Sequence, residues 1–314
     1  MDFKKIAPAL LIALYWGILF ALHGFKIDHF WIGALILGLS YSGSLARRIR
    51  AFLMPLLLTG IVYDSQRYYS DFIRGRIRVE EPYLFDKTFF GIHMADGRIL
   101  TPNEWFQLHT HWVLDFVTGF YYLTFIAIFA FIAAYFVFWR SRIGTRKHPA
   151  ETIAWQAPRI MWTFFWTNIL GYSTYYWYPA APPWYVALRG LGPAQLDTPA
   201  SPAGCVRFDA LLGTHFFTGM YGRAADVFGA IPSLHVAYPL IAVLFAFRFG
   251  ELRKFSVSFY LIMCFSAVYL NHHYILDILW GSSYAVLIYF GMNWLADRRL
   301  ILQAFHQPSR SIKS

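Results

Sequence analysis

The sequence predicts an all-α polytopic membrane protein of about eight transmembrane helices, and three observations carry that expectation. Of its 314 residues, 58% are hydrophobic and only 14% charged, whereas a soluble domain carries about 25% charge. Apolar runs recur along the chain, several of them long enough for a helix to cross a hydrocarbon core of about 30 Å. Lys and Arg fall mostly in the breaks between the runs, where membrane topology places them. The formal net charge of +10 would suggest nucleic acid in a soluble protein. No polar domain with interleaved basic and aromatic residues and no zinc-finger spacing supports that partner here.

In chain order, the runs lie at about 6–23, 29–43, 49–66, 113–139, 158–178, 234–249, 255–271 and 275–296. The first follows Lys4-Lys5 with no clean small-residue cleavage site, so a retained helix is expected rather than a removed signal peptide. The second, sixth and seventh are short for a perpendicular span and reach the interface through Trp31, Tyr41 and Tyr269. If the N-terminus is cytoplasmic, 17 of the 27 Lys and Arg fall inside and 10 outside, the expected bias. Both termini are then cytoplasmic, and the compact loops lean towards a bacterial plasma membrane. Cys205 and Cys264 build no disulfide framework.

Two polar stretches, 67–112 and 179–231, fall on the extracytoplasmic face. In the first, Tyr83 to Ile92 reads as a short amphipathic piece along the interface. Thr101-Pro102-Asn103-Glu104 reads as a helix start, with Thr101 as cap and Pro102 at the first helical position. The second is rich in proline and glycine from Pro179 to Gly204, either an ordered loop over the bundle or a mobile one.

The same face collects the chemistry. The sixth run opens with Pro232-Ser233-Leu234-His235, the seventh closes with Asn271-His272-His273, and Asp277 lies one turn inside the eighth. Ionisable groups at membrane depth are costly unless used. His273 and Asp277, four residues apart, face each other if that turn is helical. A buried carboxylate then fixes one imidazole nitrogen as a donor and leaves the other free to attack. His235 can protonate a leaving oxygen, an arrangement suited to phosphoryl transfer through a phosphohistidine. Ser233 and the backbone N–H groups beside it can hold phosphate oxygens, and His272, which points away from His273, is a further substrate-binding candidate. His235, His272, His273 and Asp277 could also hold a metal, but the Pro-Ser lead-in has no role in such a site. A histidine nucleophile requires neither metal nor cofactor.

These residues resemble the type 2 phosphatidic acid phosphatase (PAP2) superfamily, whose motifs are PSGH and SR-x5-H-x3-D. Pro232 to His235 matches the first with Leu234 for Gly; Ser266, His273 and Asp277 match the second, with Ala267 in its arginine position. The PSLH variant, the HHYxxD ending and the APPW loop at Ala181 to Trp184 are similar to the branch of the inositol phosphorylceramide synthases. Phe85-Asp86 to Phe90-Gly91 is a weaker echo. The resemblance implies a six-helix core over 49–296, two added helices in 1–48 and a cytoplasmic tail over 297–314. It implies His273 as nucleophile, Asp277 as its orienting partner and His235 as general acid. It also directs attention to Trp184.

The superfamily's K-x6-RP motif is not intact, and with Ala267 the usual cationic phosphate clamp is gone. A transferring phosphoryl group needs positive charge or oriented donors, so Arg67, Arg74, Arg189, Arg207 and Arg223 are candidates to replace it. His109 and His111, with Asp115 one turn on, are candidates for head-group contact. The expected activity moves a phosphoinositol-type head group from a glycerophospholipid to a ceramide-like lipid alcohol. The alternative is a lipid phosphate or pyrophosphate phosphatase that lets water attack the same intermediate. A lipid transporter, from a different class, would place its polar groups at the midplane and show an inverted repeat; neither is visible.

Overall fold

The computed structural model describes residues 3–22, 24–69, 74–222 and 227–306. The chain divides into two compact units, Met1–Gly60 and Ile61–Ser314. The first holds α1 (Phe3–Ala21) and α2 (Ile27–Tyr41), packed on each other, and most of α3 (Ser44–Ser65). Trp16 donates its indole N–H to the His29 carbonyl at 3.0 Å and stacks on Phe30. Gly33 makes room for that indole, since a side chain there would collide with it.

The second unit opens with α4 (Glu80–Phe90), a small antiparallel hairpin of β1 (Ile92–His93) and β2 (Ile99–Leu100), and α5 (Pro102–Leu108). Thr101 and Glu104 form a capping box with Pro102 behind the cap, as their order in the sequence predicts. Then come α6 (Trp112–Ala134), prolonged through a π-helical segment to Ile143, α7 (Ala150–Gln156) and α8 (Arg159–Trp177). The stretch after α8 carries three short helices, α9 (Pro183–Arg189), α10 (Val206–Leu212) and α11 (Phe216–Tyr221). The chain ends with α12 (Leu234–Phe249), α13 (Arg253–Tyr269) and α14 (Ile275–His306).

Helix α12 is the centre, packed against α6, α8, α13 and α14 together. Val236, Ala237, Ile241, Ala242, Phe245, Ala246 and Phe249 along it are all closed off from the surface. An apolar helix surrounded in this way is a core helix whatever solvent lies outside. Large apolar side chains instead face outwards on α6 and α14, among them Phe116, Phe120, Phe131, Leu287 and Phe290.

These facts correct the expected count of about eight transmembrane helices. The fold is all-α, but among the described residues only Trp112–Ile143 and Ile275–Arg298 are long and apolar enough to cross a membrane. The apolar helices at 6–21, 27–41 and 234–249 are shorter; at 1.5 Å per residue, α12 reaches only about 24 Å. Helix α8 carries Arg159, Thr163, Thr167 and Asn168 buried along its length, and α13 begins Arg253-Lys254 with serines following. An apolar run records burial, and in this chain much of that burial is against protein. The segment expected along the interface from Tyr83 is likewise part of α4, with Tyr83 and Asp86 buried.

The bundle has one basic end. There Arg140 pairs with Glu251, which also accepts from Tyr135 at 2.7 Å. Arg248 donates to Gln156 at 2.7 Å, and Arg159 reaches Asn293 and Asp297 at 2.8 and 3.3 Å. His235, His272 and His273 lie at the opposite end.

Candidate active site

The turn between α13 and α14 carries His273. Asn271 enters the left-handed region there, with φ 62°, which asparagine tolerates better than most residues. The N–H groups of His272 and His273 then both return to the Ala267 carbonyl, at 3.1 and 3.0 Å. From α5, Asn103 donates to the carbonyls of Val268 and His273 at 3.1 and 3.0 Å, so the turn is held from outside as well.

The start of α14 leaves backbone N–H groups that helix geometry cannot satisfy. Asp277 accepts from Tyr274 N at 3.0 Å. Asp86, on α4 and remote in sequence, accepts from Ile275 N at 2.7 Å and Leu276 N at 3.1 Å. Burial pushes the Asp86 carboxyl up to about 7; its two backbone donors pull the other way, and neighbouring Asp277 adds to the rise. The cap of α14 is thus a buried carboxylate supplied by another helix.

His273 Nδ1 lies 3.0 Å from the Ala230 carbonyl and 3.2 Å from Asp277 Oδ2. Both are acceptors, so Nδ1 carries the proton and Nε2 keeps its lone pair, an assignment made from partners. His273 Nε2 faces His235 Nδ1 at 3.2 Å, so the proton between the two rings sits on His235. Asp277 is fully buried. The start of α12 is joined to α14 directly: Ser233 N donates to the Asp277 carbonyl at 2.9 Å. Gly281 permits this approach, because a side chain there would strike the Ser233 backbone. Ser233 Oγ is buried without a partner among the described residues.

Aromatic rings fix the imidazoles. His235 stacks on Tyr122 with centroids 4.5 Å apart and packs against Phe125 at 4.7 Å. Tyr122 also stacks on His272, which stacks in turn on Tyr221. His272 is buried, with Nε2 3.1 Å from the Pro202 carbonyl and 3.3 Å from Cys205 Sγ. Burial, with His273 nearby, pushes it down to about 3 despite the Pro202 carbonyl. His272 is thus neutral and lies beside the His235–His273 pair.

The other expected contacts divide. Trp184 packs beside the turn: its backbone N–H donates to the Asn271 carbonyl at 3.1 Å, and its side chain packs with Val79, Ala181, Tyr185 and Phe228. Arg67 is paired with Asp64 three residues before it. His109 stacks on Trp105 and bonds the Trp105 carbonyl, while His111 caps α6 and accepts from Val113 N. The side-chain contacts of Arg67 and His109 are local, while the His111 backbone is tied to the Tyr269 hydroxyl at 3.0 Å; none of the three is in contact with His235 or His273. Arg207 is bound to Asp115, Gln107 and the Tyr269 carbonyl. Arg74 lies over the Phe228 ring, Arg189 is exposed at the end of α9, and Arg223 lies outside the described residues. Asp86, Asn103 and Tyr122 were not singled out from sequence for the site. Their partners are remote in the chain, and only the Phe85-Asp86 echo gave any signal.

The family model described as PAP2 superfamily matches residues 95–291. The phosphoinositol dihydroceramide synthase of Bacteroides thetaiotaomicron is 34% identical over 289 residues, covering 90% of each chain. The inositol phosphorylceramide synthase catalytic subunit of Schizosaccharomyces pombe is 27% identical over 82% of this chain and 56% of its own length. That of Saccharomyces cerevisiae is 36% identical over 39% of this chain and 31% of its own. No solved structure matches the chain. The chain belongs to the PAP2 superfamily, as a membrane-associated lipid phosphotransferase or phosphatase homologous to the inositol phosphorylceramide synthases.

Proposed function

We propose that this protein transfers a phosphoinositol-type head group from a glycerophospholipid to the primary hydroxyl of a ceramide-like lipid, through a phosphohistidine. The observation that carries the reading is the bonding of His273, with Nδ1–H held by Ala230 and Asp277 and Nε2 turned to a proton on His235. The 34% identity to a phosphoinositol dihydroceramide synthase over nine-tenths of both chains supports the choice of substrates.

His273 Nε2 attacks the phosphorus of the donor phosphodiester, and the P–O bond to diacylglycerol breaks. His235, carrying a second proton on Nε2 when the donor is bound, gives that proton to the departing oxygen and returns to the neutral ring, and diacylglycerol leaves neutral. In the second half the acceptor hydroxyl gives its proton back to His235 as its oxygen bonds to phosphorus. The P–N bond breaks, and His273 recovers its lone pair. Throughout, Nδ1–H stays directed at Asp277, which stabilises the positive charge the ring acquires on phosphorylation. We place the site on the extracytoplasmic side, because the loops around Arg140–Lys147 and Arg248–Lys254 gather basic residues at the other end of the bundle.

The test is a mass-spectrometric product assay on purified protein in mixed micelles with labelled phosphatidylinositol, with and without ceramide. A ceramide-dependent phosphoinositol lipid is expected, lost on His273→Ala. Free inositol phosphate formed regardless of acceptor would instead make the protein a hydrolase.

A further inference from the structure

We propose that Arg78 is the cationic contact for the transferred phosphate, in place of the family arginine that Ala267 replaces; the assignment rests on the phosphotransfer reading above. Arg78 lies before the stretch matched by the family model and is not among the arginines that the sequence alone singles out.

The backbone locks Arg78 to the site. Its N–H donates to the Pro179 carbonyl at 2.8 Å, and its carbonyl accepts from Ala181 N at 2.9 Å. Ala180 in turn pairs with Gly229, through Ala180 N to the Phe228 carbonyl at 2.8 Å and Ala230 N to the Ala180 carbonyl at 3.2 Å. Ala230 is the residue whose carbonyl orients His273. Three extended segments thus lie side by side, and bridged segments are spaced about 4.8 Å apart.

Extended backbone sends successive side chains to opposite faces. Ile77 and Val79 pack into the cluster of Trp184, Tyr185 and Phe228. The intervening Arg78 turns to the other face, where its guanidinium lies 5.4 Å from the Tyr178 ring. Tyr178 stacks on Trp280, and both pack against Ala180, Ala230 and Ile231. That cluster borders the His273 turn.

The guanidinium retains donors for a phosphate. Nη1 is held by Glu81 at 3.0 Å, while Nε is buried with no acceptor among the described residues. The side chain's 32% exposure lies on atoms other than the closed-off Nε, so a phosphate reaches the guanidinium from its Nη side. Glu81 also lies 3.7 Å from Arg76, so its charge stays countered when Arg78 turns to a ligand. Arg67 and Arg207, by contrast, are taken up by Asp64 and Asp115.

Orthovanadate, which mimics a phosphoryl group in flight, separates this assignment from the choice of lipids. Its affinity is measured by titration calorimetry on detergent-solubilised wild type, Arg78→Ala, Arg78→Lys and Arg76→Ala, each checked by thermal melting. Arg78→Ala is expected to weaken binding about 10-fold or more. Arg78→Lys falls between, because lysine keeps the charge and loses the fork. Arg76→Ala stays within about twofold, as expected of an exposed ion pair. In the transfer assay Arg78→Ala lowers kcat/KM about 10²-fold, the scale of one transition-state donor. Vanadate affinity unchanged in a folded Arg78→Ala protein, or no vanadate binding by wild type, overturns the assignment. Arg78-dependent vanadate binding in a protein that makes no phosphoinositol lipid upholds Arg78 and refutes the proposed substrates.

Discussion

The two ends of the helical bundle handle charge in opposite ways. Where α12 and α14 begin, Asp86, Asp277, His272 and His273 are buried, and each is tied to backbone groups. Where α6 and α12 finish, Arg140, Glu251, Arg248 and Asp297 are joined mainly to other side chains and are partly open. A buried charge whose partner is removed costs several kcal/mol, whereas a partly exposed pair contributes about 0–1 kcal/mol. The first end therefore holds a defined geometry under tension from desolvation, and the second fixes little beyond helix order. Function and fragility belong to the same end.

Substitutions should expose that contrast, and the largest effects are expected in the histidine pair. His273→Ala and His235→Ala should each lower transfer about 10³-fold or more, with Asp277→Asn close behind through loss of the orienting acceptor. Product formation per unit of folded protein checks this. Gly281→Ala comes next: the added methyl meets the Ser233 backbone, and overpacking of this kind costs about 1–3 kcal/mol. A lower melting temperature together with reduced kcat is expected.

Asp86→Asn is subtler. It removes one of the two acceptors that cap α14, so kcat should fall about 10-fold with KM nearly unchanged, because the substrate is not touched. Partial recovery in Asp86→Glu would separate positioning from mere folding. Acidification probes His272. Its folded pKa, about 3, lies below the ordinary histidine value of about 6.5, so the unfolded chain binds the extra proton. Stability is full above about pH 6.5 and falls as the pH drops towards 3. Thermal melts across that window should show less acid loss in His272→Gln. At the basic end Glu251→Gln should cost only about 0.5 kcal/mol and leave turnover intact.

The contact of His273 with Asp277 was legible in the sequence, and the number of membrane spans was not. Pro232 to His235 and His273 to Asp277 are local signals, and the i,i+4 spacing already placed carboxylate and imidazole together. The all-α fold was legible from the apolar runs. Their length did not say what would cover them: Leu234–Phe249 reads as a short membrane segment and is enclosed by four other helices. Asp86 and Asn103 were illegible because each acts on a turn far along the chain. His109, His111 and Arg67 are candidates by their shared face alone, and sequence does not show that they are held by Trp105, Tyr269 and Asp64.

The central claim is that His273 Nε2 becomes phosphorylated. Rapid quench with labelled phosphatidylinositol in the absence of acceptor, followed by peptide mass spectrometry under alkaline conditions, tests it directly. A phosphoinositol adduct on the peptide at His273, absent in His273→Ala and discharged by ceramide, is the predicted result. Turnover with no adduct, or an adduct on His235, would contradict it.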